Sequence, residues 1–173
     1  MNLFLDSMMY LDPIPVGEID FRTLLDSASI TVQVPRATFS ILNELKGSYC
    51  PQVRSRAELA LKFLESALVL RVAGQHGVVW QLIPAATSAD MARHDLDPAR
   101  HEDWFIAAAL RCKSSHVSER AVVMTDDLRV QSTCRRLRIE TLNLPFKYRH
   151  RYRAVRDKSP LALQQPMLKA IAV

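Results

Sequence analysis

The sequence predicts an α/β fold, a three-layer α/β/α arrangement whose central sheet is mostly parallel, and three observations lead there. Short apolar runs alternate with longer stretches of helical period along the chain. No internal repeat or low-complexity segment interrupts that alternation. The composition, 49% hydrophobic and 24% charged over 173 residues, is that of a globular chain of one ordinary domain.

The apolar runs are Leu3-Phe4-Leu5, ITVQV at 30–34, VVWQLI at 78–83, AVVMT at 121–125 and the weaker IETL at 139–142. Helical periodicity fills 36–45 (RATFSILNEL), 54–70, a stretch near 98–113, and 128–137. Pro35 stands at the first position expected of one helix, with Gly47 just past its end, and Asp97-Pro98 reads as a cap followed by a first helical residue. Residues 84–96 read as a loop. The periodicity stops after Pro145, so the expected division is a domain over 1–145 and a basic extension over 146–173.

Several function classes fall away on composition. Four glycines leave no G-x-G-x-x-G or Walker loop for a nucleotide phosphate. Cys50, Cys112 and Cys134 are widely separated with no C-x-x-C pair, which argues against a zinc ribbon or a disulfide framework and for apolar filler. The five histidines lack zinc-hydrolase spacing. No apolar run has the ~20 residues of a membrane span, and the first residues lack the marks of a signal peptide, so a cytoplasmic protein without a membrane partner is expected. A net charge of +5 leans toward polyanions, more so if several acids are gathered into one site.

The carboxylates suggest such a site. In an open parallel sheet the functional crevice lies beyond the carboxyl ends of the strands. Asp6 follows Leu3-Phe4-Leu5 directly, and Asp126 and Asp127 follow AVVMT. Glu44 lies on the edge of an expected buried stripe of Ala37, Ile41 and Leu45, and Asp103 shares a face with Ile106, Ala107 and Leu110. Like charges about 4 Å apart repel by about 4 kcal/mol at an effective dielectric near 20. Such a cluster must bind protons or a divalent cation, and all-oxygen donors suit Mg²⁺ or Mn²⁺. A metal so held can polarise a phosphoryl oxygen and activate a water.

Four motifs in order, NLFLD with Asp6, SILNEL with Glu44, DWFIAAAL with Asp103 and VVMTDD with Asp127, make the chain resemble the PIN-domain (PilT N-terminus) nucleases, a family that includes VapC-type toxins and RNA-processing endonucleases. The resemblance covers residues 1 to about 145. It implies a metal-dependent endoribonuclease with Asp6, Glu44, Asp103 and Asp127 as catalytic metal ligands and products ending in 5′-phosphate and 3′-hydroxyl. Within T-x-D, Thr125 is the supporting hydroxyl and Asp126 a further candidate ligand; Ser7 supports the first site, where Met8 replaces the amide of the family's D-T-N. That departure keeps open an alternative, a catalytically weak or inactive module that binds RNA or a protein. The partners so implied are RNA, an antitoxin or other protein, and a second copy of the chain.

FKYRHRYR at 146–153 adds a candidate RNA surface. Lys147, Arg149, Arg151 and Arg153 share one parity, while Tyr148 and Tyr152 lie on the other with Phe146 and His150. An extended chain so patterned suits phosphate neutralisation and base stacking, and equally suits an edge strand that packs its aromatic side on the domain.

Overall fold

A computed structural model describes residues 1–12, 14–69, 77–115, 120–145 and Tyr148. Five strands, β1 (Asn2–Leu5), β2 (Thr31–Pro35), β3 (Val79–Ile83), β4 (Ala121–Met124) and β5 (Glu140–Leu142), form one sheet in the order β3-β2-β1-β4-β5. Every pairing is parallel. Among the described residues six α-helices accompany them: α1 (Phe21–Leu25), α2 (Arg36–Leu45), α3 (Pro51–Val69), α4 (Ser88–Arg93), α5 (His101–Ser115) and α6 (Leu128–Arg136). The expected three-layer α/β/α fold is the one observed.

Alternation along each strand builds the two outer layers. Leu3 and Leu5 of β1, with Val32, Val34, Val122 and Met124, pack against Phe21 of α1, Leu42 of α2 and Leu61 and Leu64 of α3. Phe4 and Val123 point the other way, toward Met91 of α4, Phe105 and Ile106 of α5, and Val130 and Cys134 of α6. Phe4 meets Phe105 edge to face with ring centroids 6.4 Å apart. β1 and β4 are thus buried on both faces, which is why their sequences carry no polar alternation. A side-chain contact also fixes Gly17, since a Cβ there would fall 2.3 Å from the Phe63 ring of α3.

Local differences from the sequence reading have local causes. Pro35 is the N-cap of α2 and the last residue of β2 at once, its φ of −66° and ψ of 147° serving both, rather than the first helical position. Residues 84–96 contain α4, nucleated by a reciprocal capping box in which Thr87 and Asp90 each accept from the other's backbone N–H. Asp97 caps the amide of Ala99 and pairs with Arg100, so a turn precedes α5 and delays its start to His101. All three cysteines are free; Cys134 is fully buried, whereas Cys50 and Cys112 are only partly so. Among the described residues no helix is long and apolar enough to cross a membrane.

Candidate functional site

The strand order reverses at β1, which pairs with β2 on one edge and β4 on the other, so the crevice between the carboxyl ends of β1 and β4 is the sheet's topological switch point. Asp6 and Thr125 are the first residues past those ends. The Asp6 amide still donates to the Met124 carbonyl at 3.1 Å, which pins the side chain at the rim.

Asp6 is 7% exposed and fully engaged. Its Oδ2 accepts from the Thr125 hydroxyl at 2.7 Å, and its Oδ1 accepts from the Ser7 hydroxyl at 3.2 Å and the Met8 amide at 3.3 Å. These three donors favour the carboxylate, yet burial outweighs them and holds the Asp6 pKa above its ordinary value, with the charge of Asp127 adding to the rise. The field of Asp6 reaches both layers. Burial and, secondarily, Asp6 raise the Tyr10 phenol on one side of the sheet and push the Cys134 thiol up to about 12 on the other.

Asp127 begins α6 as its N-cap: Oδ1 accepts from the amides of Arg129 at 2.7 Å and Val130 at 3.1 Å. Its own amide donates to the Thr125 hydroxyl at 3.1 Å. Thr125 therefore joins the two acids, with Asp6 buried beneath and Asp127 exposed above, and Asp126 stands half-buried between them in sequence.

Asp103 is buried among the alanines of α5 as its spacing predicts, 6% exposed. Its Oδ2 accepts from the Asp97 amide at 2.9 Å, and its Oδ1 forms an ion pair with Arg129 at 2.9 Å. The sequence reading missed Arg129, because its partner Asp103 lies on another helix and the two meet only in the folded chain. It also missed Tyr10, whose buried hydroxyl has no hydrogen-bond partner among the described residues.

Glu44 departs from expectation. The buried face of α2 is centred on Thr38 and Leu42 rather than on Ala37, Ile41 and Leu45, which are only partly covered. That rotation of the face leaves Glu44 exposed. Of the candidate RNA-binding residues, Tyr148 is partly buried and packs on the core cluster between the sheet and α1, α2 and α3, with its amide donating to the Pro145 carbonyl at 3.0 Å. Lys147, Arg149, Arg151, Tyr152 and Arg153 lie outside the described residues, as do Phe146 and His150.

The donors fit a hard divalent cation in kind but not in arrangement. Among the described residues no three or more His, Cys, Asp or Glu side chains are grouped so as to hold one ion. The reason is visible in the bonds: Asp103 is committed to Arg129 and Asp97, Asp127 to the head of α6, and Glu44 faces water.

No protein-family model matches the chain, and no curated protein matches it. Its fold is similar to a solved structure described as a domain of a functionally unknown protein from Methanocaldococcus jannaschii DSM 2661, with a TM-score of 0.55 and 12% identity over 83% of this chain and 91% of that one. The likeness extends to the fold alone.

Proposed function

We propose that the chain is a PIN-like endoribonuclease of the cytoplasm that uses Mg²⁺ or Mn²⁺, with Asp6, Asp103 and Asp127 at its centre and Glu44 and Asp126 as accessory carboxylates. The observation that carries the proposal is the junction of Asp6 with Thr125-x-Asp127 across the switch point. It places a buried carboxylate, a hydroxyl and a second, exposed carboxylate where an α/β sheet presents ligands. An unneutralised pair of this kind favours a cation, and a phosphodiester is the substrate class that a cation bound to carboxylates serves. Toxin and RNA-processing roles both agree with it.

A second reading, an RNA- or protein-binding module without turnover, draws on the Asp103–Arg129 pair, which neutralises one of the required acids from within. Incubating purified protein with single-stranded and structured RNA, in Mn²⁺ or in EDTA, separates the two. The nuclease reading expects cleavage that needs the metal, leaves 5′-phosphate ends and disappears in Asp6→Asn. Cleavage that survives EDTA overturns it, and RNA retained intact in Mn²⁺ favours the binding module.

A further inference from the structure

We infer that β3 is a self-pairing edge, along which two copies of the chain join antiparallel into one continuous sheet about a two-fold axis at Gln81. The inference stands apart from the nuclease reading. β3 ends the strand order and, among the described residues, pairs with β2 alone. The Val79 amide donates inward to the Ile30 carbonyl at 3.0 Å. Backbone groups alternate between the two edges of a strand, so Gln81 and Ile83 also face β2, while the N–H and C=O groups of Trp80 and Leu82 face outward.

The two edges of the sheet differ in kind. β5, at the far edge, has three residues, and its Glu140 is paired with Arg120. Shortness and charge keep an edge from pairing with another chain. β3 has five residues and no charge, in a chain that is 24% charged. Val79 is 52% exposed and Leu82 42%. These side chains lie on opposite faces of the strand, so an added strand covers apolar surface on both.

The strand is complementary to itself. With Gln81 opposite Gln81, Trp80 of each copy faces Leu82 of the other, and every outward N–H and C=O of β3 finds a partner. Moving the axis to Leu82 would set Trp80 against Pro84, which has no N–H to give. A buried polar atom supports the same centre. Gln33 of β2 is buried, and its Nε2 donates to Asn2 Oδ1 at 2.7 Å and, more distantly, to Gln81 Oε1 at 3.5 Å. Its own Oε1 has no partner among the described residues. The row of amides Asn2, Gln33, Gln81 thus runs across the sheet to its edge and is left one donor short. Gln81 of a second copy, opposite the first on the same face, continues the row and supplies one. Pairing over one short strand buries a small interface, so the association should be weak and concentration-dependent.

Sedimentation velocity of the full chain over a concentration series tests this. The wild type is expected to pass from monomer to dimer as concentration rises. Gln81→Lys and Gln81→Glu each set like charges face to face on the axis and should raise the dimer dissociation constant about tenfold or more. An equimolar mixture of the two should restore association, as pairing of position 81 with itself requires. Tyr49→Lys, at an exposed residue outside the strand, should change nothing. Melting curves establish that the Gln81 variants are folded; where they are not, Leu82→Lys, on the other face of β3, decides by the same loss of dimer. A wild type that stays monomeric at every concentration overturns the inference, including the case in which a different protein takes the edge. So does a dimer that Gln81→Lys leaves intact, which puts the interface elsewhere, and so does an equal loss in Tyr49→Lys. A mixture that fails to associate, with both folded variants monomeric, overturns the pairing at Gln81.

Discussion

The Thr125 hydroxyl donates to Asp6 across 2.7 Å, joining residues 119 positions apart in sequence at adjacent strand ends. Because the same oxygen accepts the Asp127 amide, it orders the start of α6 as well as the buried acid. Thr125→Val keeps the side-chain shape and removes the hydroxyl, leaving a buried carboxylate oxygen and a backbone N–H each short of a partner. The expected loss is about 1–3 kcal/mol by urea unfolding, with Thr125→Ser recovering most of it. A fully stable valine variant would mean that Asp6 is satisfied by other groups.

The acid at the end of β1 gives a pH dependence of defined sign. The folded pKa of Asp6 lies above its ordinary value of 3.8, chiefly through burial, so the folded state binds this proton more tightly than the unfolded chain. Its contribution to stability is therefore fully present below 3.8 and lost as pH rises through the elevated folded value. Once the pH exceeds that elevated value, the metal-free protein carries a costly ionised Asp6. Asp6→Asn should raise its melting temperature there, provided the new amide turns its nitrogen to Thr125 and its oxygen to Met8, and the advantage should shrink in acid. An unchanged or lower melting temperature at pH 7 would show that the three donors outweigh burial.

How much of this was legible in the sequence follows the range of the forces involved. All five strands, and the helix at 36–45, lay open because burial on two faces or on one stripe imposes a period on nearby residues. Asp6 and Asp127 could be placed at strand ends for the same reason. Helix α4 was hidden because its six residues offer less than two turns of periodicity, although Thr87 and Asp90 carried the capping signature. The rotation of α2 depends on which neighbours cover it, and an expected stripe of Ala37, Ile41 and Leu45 could not distinguish that from the observed face on Thr38 and Leu42. The Asp103–Arg129 pair joins two helices that become neighbours only after the sheet has assembled, so no local pattern announced it.

Tyr10 offers a test of how the space beneath the site is filled. Its hydroxyl is buried near Asp6 without a hydrogen-bond partner among the described residues, and burial with the nearby carboxylate disfavours the ionised phenol. Removing an unsatisfied buried donor while keeping the ring should be neutral or stabilising, so Tyr10→Phe is expected to gain up to about 1 kcal/mol in chemical unfolding. A loss of similar size would instead reveal a bonded hydroxyl, and with it a polar link between Tyr10 and the Asp6 pocket.

Asp103 and Glu44 should separate stability from chemistry because they differ in exposure more than in charge. Asp103→Asn replaces a buried carboxylate that serves both Arg129 and the Asp97 amide, and the amide cannot reproduce the ion pair. About 1–3 kcal/mol of stability should be lost, toward the lower end because Arg129 is half-exposed and regains hydration. Glu44→Gln alters an exposed position on α2 and should stay within about 0.5 kcal/mol of wild type. Under the nuclease reading both variants lose metal-dependent cleavage, but only Glu44→Gln does so with an unaltered melting curve. Retained cleavage in Glu44→Gln would remove Glu44 from the site and leave the acids at the ends of β1 and β4, with Asp103, as the whole of it.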